Sequence, residues 1–323
     1  MRKTFYGVLA LAALVACNKE VVKTEATSAI TFDNSFVEIK TRGAVDPSIT
    51  TASIDAFDVW GFAGTTDAVV FDAERVTKQE DGTWKYANLQ YWVPNKAYYF
   101  GAIAPVDNKD IEVDLATAGT DGLGKVKFTN TDGTVDLLYA RKSVVTGSDV
   151  LYNDPGKVSL QFAHQLSKVK FSFANGLSNE NSKIAVKDIK MTVPAKGTVT
   201  LATGAWEINT TETTTLAFGD VNGGETLEIT DGYAECADER LTIPCGETVT
   251  YKITFTLELY YGDSTTPAYT VEKEIELKEQ ALLIGKNYNF KATITGENLE
   301  LIPIEFDVVT VEEWVEGTSK DIL

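Results

Sequence analysis

Residues 249–259 read VTYKITFTLEL, and their alternation decides the fold class. Val249, Tyr251, Ile253, Phe255, Leu257 and Leu259 fall in one phase. Thr250, Lys252, Thr254, Thr256 and Glu258 fall in the other. A period of two places one set on a core and the other in water, as in a half-buried antiparallel strand. Working outward, Tyr269, Val271, Ile275 and Leu277 predict its neighbour. Tyr288, Phe290, Ala292 and Ile294 predict another. Upstream, Ile189, Met191 and Val193 alternate, and Trp206 closes what reads as a short hairpin. Val158, Leu160, Phe162 and His164 share a face. After Gln165 a new strand starts, with Val169, Phe171 and Phe173 inward and Lys168, Lys170 and Ser172 outward. Residues 89–104 read as two strands split at Pro94-Asn95, and Asp81-Gly82 marks a hairpin turn. No helical period persists beyond about two turns. Many short strands separated by turns define an all-β chain of antiparallel sandwiches.

The chain has 323 residues, enough for two domains, and 44% apolar residues. Its net charge of −18 argues against a nucleic-acid partner, since phosphate binding needs a basic surface. A single histidine, His164, leaves little room for imidazole metal sites or histidine-dependent triads. His164 shares a face with Phe162 and reads as a hydrogen-bonded core residue. No nucleophile elbow, zinc-binding pair or phosphate-cradling loop is present. With 47 acidic residues, chance carboxylate pairs are inevitable and describe a solvated surface. The expectation is a non-enzyme with no metal and no cofactor. Tyr91, Trp92, Tyr98 and Tyr99 read either as sandwich core or as a sugar-binding face.

The front of the chain carries a targeting signal. Arg2 and Lys3 precede an apolar run from Phe5 to Ala16, shorter than the ~20 residues that span a bilayer. Leu14-Val15-Ala16-Cys17 resembles the lipobox of bacterial lipoproteins, which implies cleavage before Cys17 and its acylation. Residues 17–29 then read as a lipid-anchored tether. Cys236 and Cys245 remain, nine apart. Both a disulfide and two free buried thiols fit that spacing.

Residues 30–42 form a strand, with Ile30, Phe32 and Phe36 in one phase, ending at Lys40-Thr41-Arg42 before Gly43. At the other end, residues 301–323 carry a long apolar strand where polar termini are usual. Ile302, Ile304, Phe306 and Val308 alternate, and Trp314 follows in the other phase.

Several stretches together resemble the fimbrillin family, the type V pilins of Bacteroidia. They are the lipobox, Phe57–Phe62 (FDVWGF), Trp84 with Tyr91-Trp92, Tyr98–Pro105 (YYFGAIAP), Asp136–Ala140 (DLLYA), Phe162–Val169 (FAHQLSKV) and Gly285–Phe290 (GKNYNF). The resemblance implies two tandem transthyretin-like β-sandwich domains, placed at 43–165 and 166–300 after a signal peptide at 1–16. It implies export to the outer membrane surface as a lipoprotein. An arginine-specific protease would cut after Arg42, leaving Gly43 as the new amino terminus. The removed strand (Ile30, Phe32, Phe36) would vacate a groove for a donor strand from another subunit (Ile302, Ile304, Phe306, Val308, Trp314). Its partners would then be other fimbrillin subunits and host or bacterial surface ligands. A tip or accessory adhesin and a non-polymerising glycan-binding lipoprotein are the competing expectations.

Overall fold

The computed structural model describes residues 28–33, 36–37, 54–64, 68–115, 124–148, 155–246, 249–278, 280–299 and 304–313. In chain order the strands are β1 (Phe36–Val37), β2 (Ala56–Ala63), β3 (Val69–Lys78), β4 (Trp84–Lys85), β5 (Ala97–Ala104), β6 (Ile111–Asp114), β7 (Lys125–Thr129), β8 (Leu138–Val145) and β9 (Gln161–His164). They continue as β10 (Ser167–Asn175), β11 (Ser182–Thr200), β12 (Ala205–Gly219), β13 (Ala234–Glu235), β14 (Arg240–Thr242), β15 (Tyr251–Tyr261), β16 (Tyr269–Leu277), β17 (Lys286–Ile294) and β18 (Asp307–Glu313). A single turn, α1 (Gly296–Leu299), is the one α-helix among the described residues. The chain is all-β, as the alternation requires.

The VTYKITFTLEL stretch forms β15, with Tyr251, Ile253, Phe255, Leu257 and Leu259 buried. It pairs with β16 on one side and β11 on the other, both antiparallel. Cross-strand Lys252 and Glu274 meet at 2.7 Å on the solvent face. β11 and β12 form a long hairpin, not the short one expected at Trp206. β11 can be long because it is bent. Its register shifts between Lys187 and Lys190 and again between Pro194 and Lys196, so its two ends serve different neighbours. One end meets β15, and the other meets β7.

Among the described residues three sheets result. A seven-stranded sheet runs β1-β9-β8-β5-β2-β3-β4. A five-stranded one runs β13-β10-β17-β18, with β14 also on β10. A six-stranded one runs β16-β15-β11-β7-β6, with β12 also on β11. Between His164 and Ser167 the chain passes from the first sheet into the second. The β6–β7 hairpin, from the first half, is hydrogen-bonded to β11 of the second, for example Val126 opposite Val199. The two halves therefore share a sheet, and no single cut at 165/166 separates them.

Among the described strands, two pairs break the antiparallel rule. β1 is parallel to β9, and β10 is parallel to β17. Parallel neighbours cannot be joined by a tight turn. Each half thus closes by bringing its first strand back alongside a late one. This places Tyr288 and Phe290 opposite Val169 and Phe171, not beside β15. It also corrects two other sequence readings. Ser172 points into protein, not solvent, where its hydroxyl and Asn289 Oδ1 lie 2.8 Å apart. Residues 89–93 form no strand. A lone bridge, Tyr91 to Ala29, replaces the expected ladder.

The described residues form three apolar cores. One gathers Phe57, Phe100 and Phe162 in the first half. One gathers Phe171, Phe255 and Phe290 in the second. The third joins the halves through Ile103, Phe128, Leu166 and Val199, with Trp206 packed against it. Trp206 Nε1 also donates to Gln165 O at 3.2 Å, at the crossover itself. A Cβ on Gly197 would stand 2.9 Å from the Trp206 ring. Gly197→Ala is therefore expected to cost about 1–3 kcal/mol through overpacking. A urea midpoint unchanged from the parent chain would refute the close approach.

Candidate functional site

Residues 28–33 lie as an extended segment between two pieces of the first half. Ile30 N donates to Gln90 O (2.8 Å) and Trp92 N to Ser28 O (3.0 Å) on one side. Val158 N donates to Thr31 O (2.7 Å) and Asp33 N to Val158 O (3.1 Å) on the other. Further on, Phe36 in β1 stands opposite Gln161 of β9. Alternation sends Thr31 outward and Ile30 and Phe32 inward, at 0% and 3% exposure. Phe32 enters an aromatic cage of Phe57 (5.7 Å between centroids), Phe71 (5.7 Å), Tyr86 (5.8 Å) and Phe100 (6.3 Å). Tyr86 Oη donates to Ile30 O and accepts from Gln90 N. Burial raises the Tyr86 phenol above its ordinary value, so it remains a neutral donor.

The far end of the chain is built alike. Ile304 is buried, Glu305 exposed and Phe306 half-buried among Phe171 (5.6 Å), Phe173 (5.7 Å) and Phe290 (6.5 Å). β18 then runs antiparallel to β17, with Val308 opposite Phe290 and Glu313 opposite Lys286. The C-terminal strand is thus packed on its own chain. The two ends share a spelling that sequence reasoning passed over. Residues 30–33 are ITFD and residues 304–307 are IEFD. Each places an isoleucine in a core, a polar residue in solvent and a phenylalanine in a ring cage.

Several sequence expectations lie outside the described residues: the signal peptide, Cys17, Arg42, Gly43, Ile302 and Trp314. The side chains of Phe36 and Val308 do as well.

Cys236 and Cys245 are both free, so the disulfide alternative is not what the structure holds. The Cys236 thiol donates to Asp238 O, and the Cys245 thiol to Ile243 O. Burial pushes both thiols up, Cys245 to about 11. Both residues are expected to take up iodoacetamide in unfolded, unreduced protein, and Cys245 to resist it in native protein at pH 8. A peptide map showing the two joined would contradict this.

The aromatic quartet does not form a platform. Trp92 and Tyr98 are buried, in edge contact at 4.8 Å, and Val93 N donates to the Tyr98 hydroxyl. Tyr91 is exposed and Tyr99 half-buried. His164 is buried, with Nδ1 2.7 Å from Asp136 Oδ2, the hydrogen-bonded core residue expected. Among the described residues no group of three or more His, Cys, Asp or Glu is placed to hold a metal ion. Among them, too, no helix is long and apolar enough to cross a membrane.

The site is therefore a strand-shaped one: an apolar groove, its occupant, and a second segment of matching design. A fimbrial protein from Bacteroides vulgatus ATCC 8482 is similar in structure, with TM-score 0.62 at 17% identity, over 88% of this chain and 99% of that one. A candidate cell adhesion protein from Bacteroides ovatus ATCC 8483 is similar with TM-score 0.50 at 15% identity, over 91% and 100%. At those identities the likeness speaks for the fold alone. No protein of curated function matches the sequence. The family model for fimbrillin-like proteins matches residues 41–314, most of the chain, and the chain belongs to that family.

Proposed function

We propose that the chain is a structural subunit of surface fimbriae. In this reading it is exported as a lipoprotein acylated on Cys17, cut after Arg42 by an arginine-specific protease, and polymerised by strand exchange, supporting adhesion. It has no catalytic role and needs no cofactor. One observation carries the reading. Ile30 and Phe32 complete the first core from a segment held by four backbone hydrogen bonds. Burying each contributes roughly 1.5–3 kcal/mol. Release of the segment uncovers their pockets and leaves polar groups of Gln90, Trp92 and Val158 without partners. An apolar strand from a second molecule restores both. The Ile-x-Phe spacing of the C-terminal segment fits such a role, with Ile302, Val308 and Trp314 extending it. Head-to-tail exchange between unlike surfaces does not close, so it builds a fibre.

The same tail also supports a second reading, a tip or accessory subunit. Ile304 and Phe306 are packed in their own chain's core, and β18 is hydrogen-bonded to β17. A donor strand has to leave that place first.

A chain beginning at Gly43 is expected to form fibres visible by negative-stain microscopy, while the uncut chain stays dispersed. A Gly43 chain that neither self-assembles nor joins fibres of related subunits overturns strand exchange. One that only joins fibres of other subunits assigns the accessory role.

A further inference from the structure

We propose that the pole of the first half around Leu89, Tyr91 and Val93 docks on the lipid surface to which the precursor is tethered. The proposal rests on the reading that Cys17 is acylated. These three residues alternate outward along one extended segment and are 58%, 48% and 48% exposed, while Trp92 between them is buried. Residues i and i+2 of an extended chain share a face, so the three form one apolar row. Val145, at 77% the most exposed large apolar side chain described, ends β8 beside them. There Thr146 Oγ1 donates to Val93 O at 2.7 Å, and Thr146 N to Lys96 O.

Charge and chain path together name the occupant. The protein carries −18 overall, yet residues 86–97 (YANLQYWVPNKA) contain one charged side chain, Lys96. The neighbouring carboxylate Glu74 is engaged by Ala87 N, Asn88 N and Asn88 Nδ2. An exposed row of Leu, Tyr and Val with a lysine suits an interface of headgroups and acyl chains, where tyrosine and lysine anchor. The described chain begins at this same row: Ala29 bridges Tyr91, and Ser28 O accepts from Trp92 N. Ser28 lies eleven positions after Cys17, a reach of at most about 40 Å when extended. The lipid anchor therefore confines this pole, more than any other surface, to the vicinity of the bilayer.

The test uses the full, acylated chain in vesicles of phosphatidylethanolamine and phosphatidylglycerol. A fluorophore is placed at Val93→Cys or, as a control, at the similarly exposed Tyr269→Cys, in a Cys236→Ser, Cys245→Ala background. Nitroxide-headgroup lipid is expected to quench the label at 93 about twofold or more and to leave that at 269 unchanged. Leu89→Asp with Tyr91→Asp is expected to abolish the quenching at 93 while the chain still floats with the vesicles. Equal quenching at both sites in a chain that floats overturns the docked pole and leaves the anchor standing. Protection of the label at 93 that follows protein density and not nitroxide content assigns the row to a second copy, and also overturns it. A chain that does not float refutes the acylated anchor, and the docking with it.

Discussion

Phe32→Ala is expected to destabilise the full-length chain by about 3–5 kcal/mol, the usual cost of truncating a buried phenylalanine. The side chain is 3% exposed and has ring neighbours on four sides. Aromatic pairs add about 0.5–1.5 kcal/mol each beyond the area they bury, so the loss belongs at the upper end. The cavity cannot simply refill, because Phe57, Phe71 and Phe100 sit on β2, β3 and β5, and β2 is hydrogen-bonded to both of the others, which holds their spacing. The effect should be local as well as large. With Phe32 gone, residues 28–33 keep four backbone hydrogen bonds and one buried isoleucine. Hydrogen exchange at Ile30, Asp33 and Val158 should then accelerate more than in β15, and guanidinium unfolding should begin in the first half. Phe32→Leu, which keeps most of the volume, should recover much of the loss. A cost below about 1 kcal/mol would mean that the strand is not seated as described.

Phe171→Ala, in the second half, is expected to cost a similar 3–5 kcal/mol, but with a different distribution. Phe171 is fully buried, 4.8 Å from Phe218 in edge contact and 5.7 Å from Phe290 in a stacked one. It lies in β10, whose register with β17 runs unbroken from Lys168–Asn287 to Asn175–Ile294. That ladder holds β10 in place after truncation, so the chain should unfold cooperatively at a lower denaturant concentration without early loss of β10. Phe306 touches the same ring at 5.6 Å. The variant should therefore also loosen the C-terminal segment, read as faster protease cleavage within residues 304–313. An unchanged cleavage rate would show that the tail is held by its ladder to β17 and not by the ring cage.

The two closures differ in how much backbone pairing they carry. In each half an early strand returns parallel to a late one. In the second half the closing strand is continuous, internal and paired over its whole length. In the first half it is reduced to a bridge at Phe32 and two residues of β1. The four backbone hydrogen bonds of residues 28–33 and the buried side chains of Ile30 and Phe32 hold it together.

The Val249–Leu259 stretch was legible because side-chain period is a local property, set by the pleat and by which face meets water. The inward residues of β9, β10 and β11 were legible for the same reason, and so was the core role of His164. Trp92 was ambiguous because its segment is extended without a ladder, so alternation alone cannot tell a platform from a core. Ser172 was misassigned because a hydroxyl reads as solvent-facing until its partner, Asn289, is known. The repeated Ile-x-Phe-Asp at the two ends was legible and was missed, since each copy looks ordinary until both are seen to fill ring cages.

By itself, then, the sequence determined the all-β class, the inward faces of the main strands and the apolar character of both ends. Only the tertiary structure decided the parallel closures, the sheet shared through β7 and β11, the two free thiols and the packing of the tail on β17. Those features join residues tens to more than a hundred positions apart. No local pattern encodes such pairings; they are chosen by which buried side chains and hydrogen-bonding edges fit once the strands have assembled.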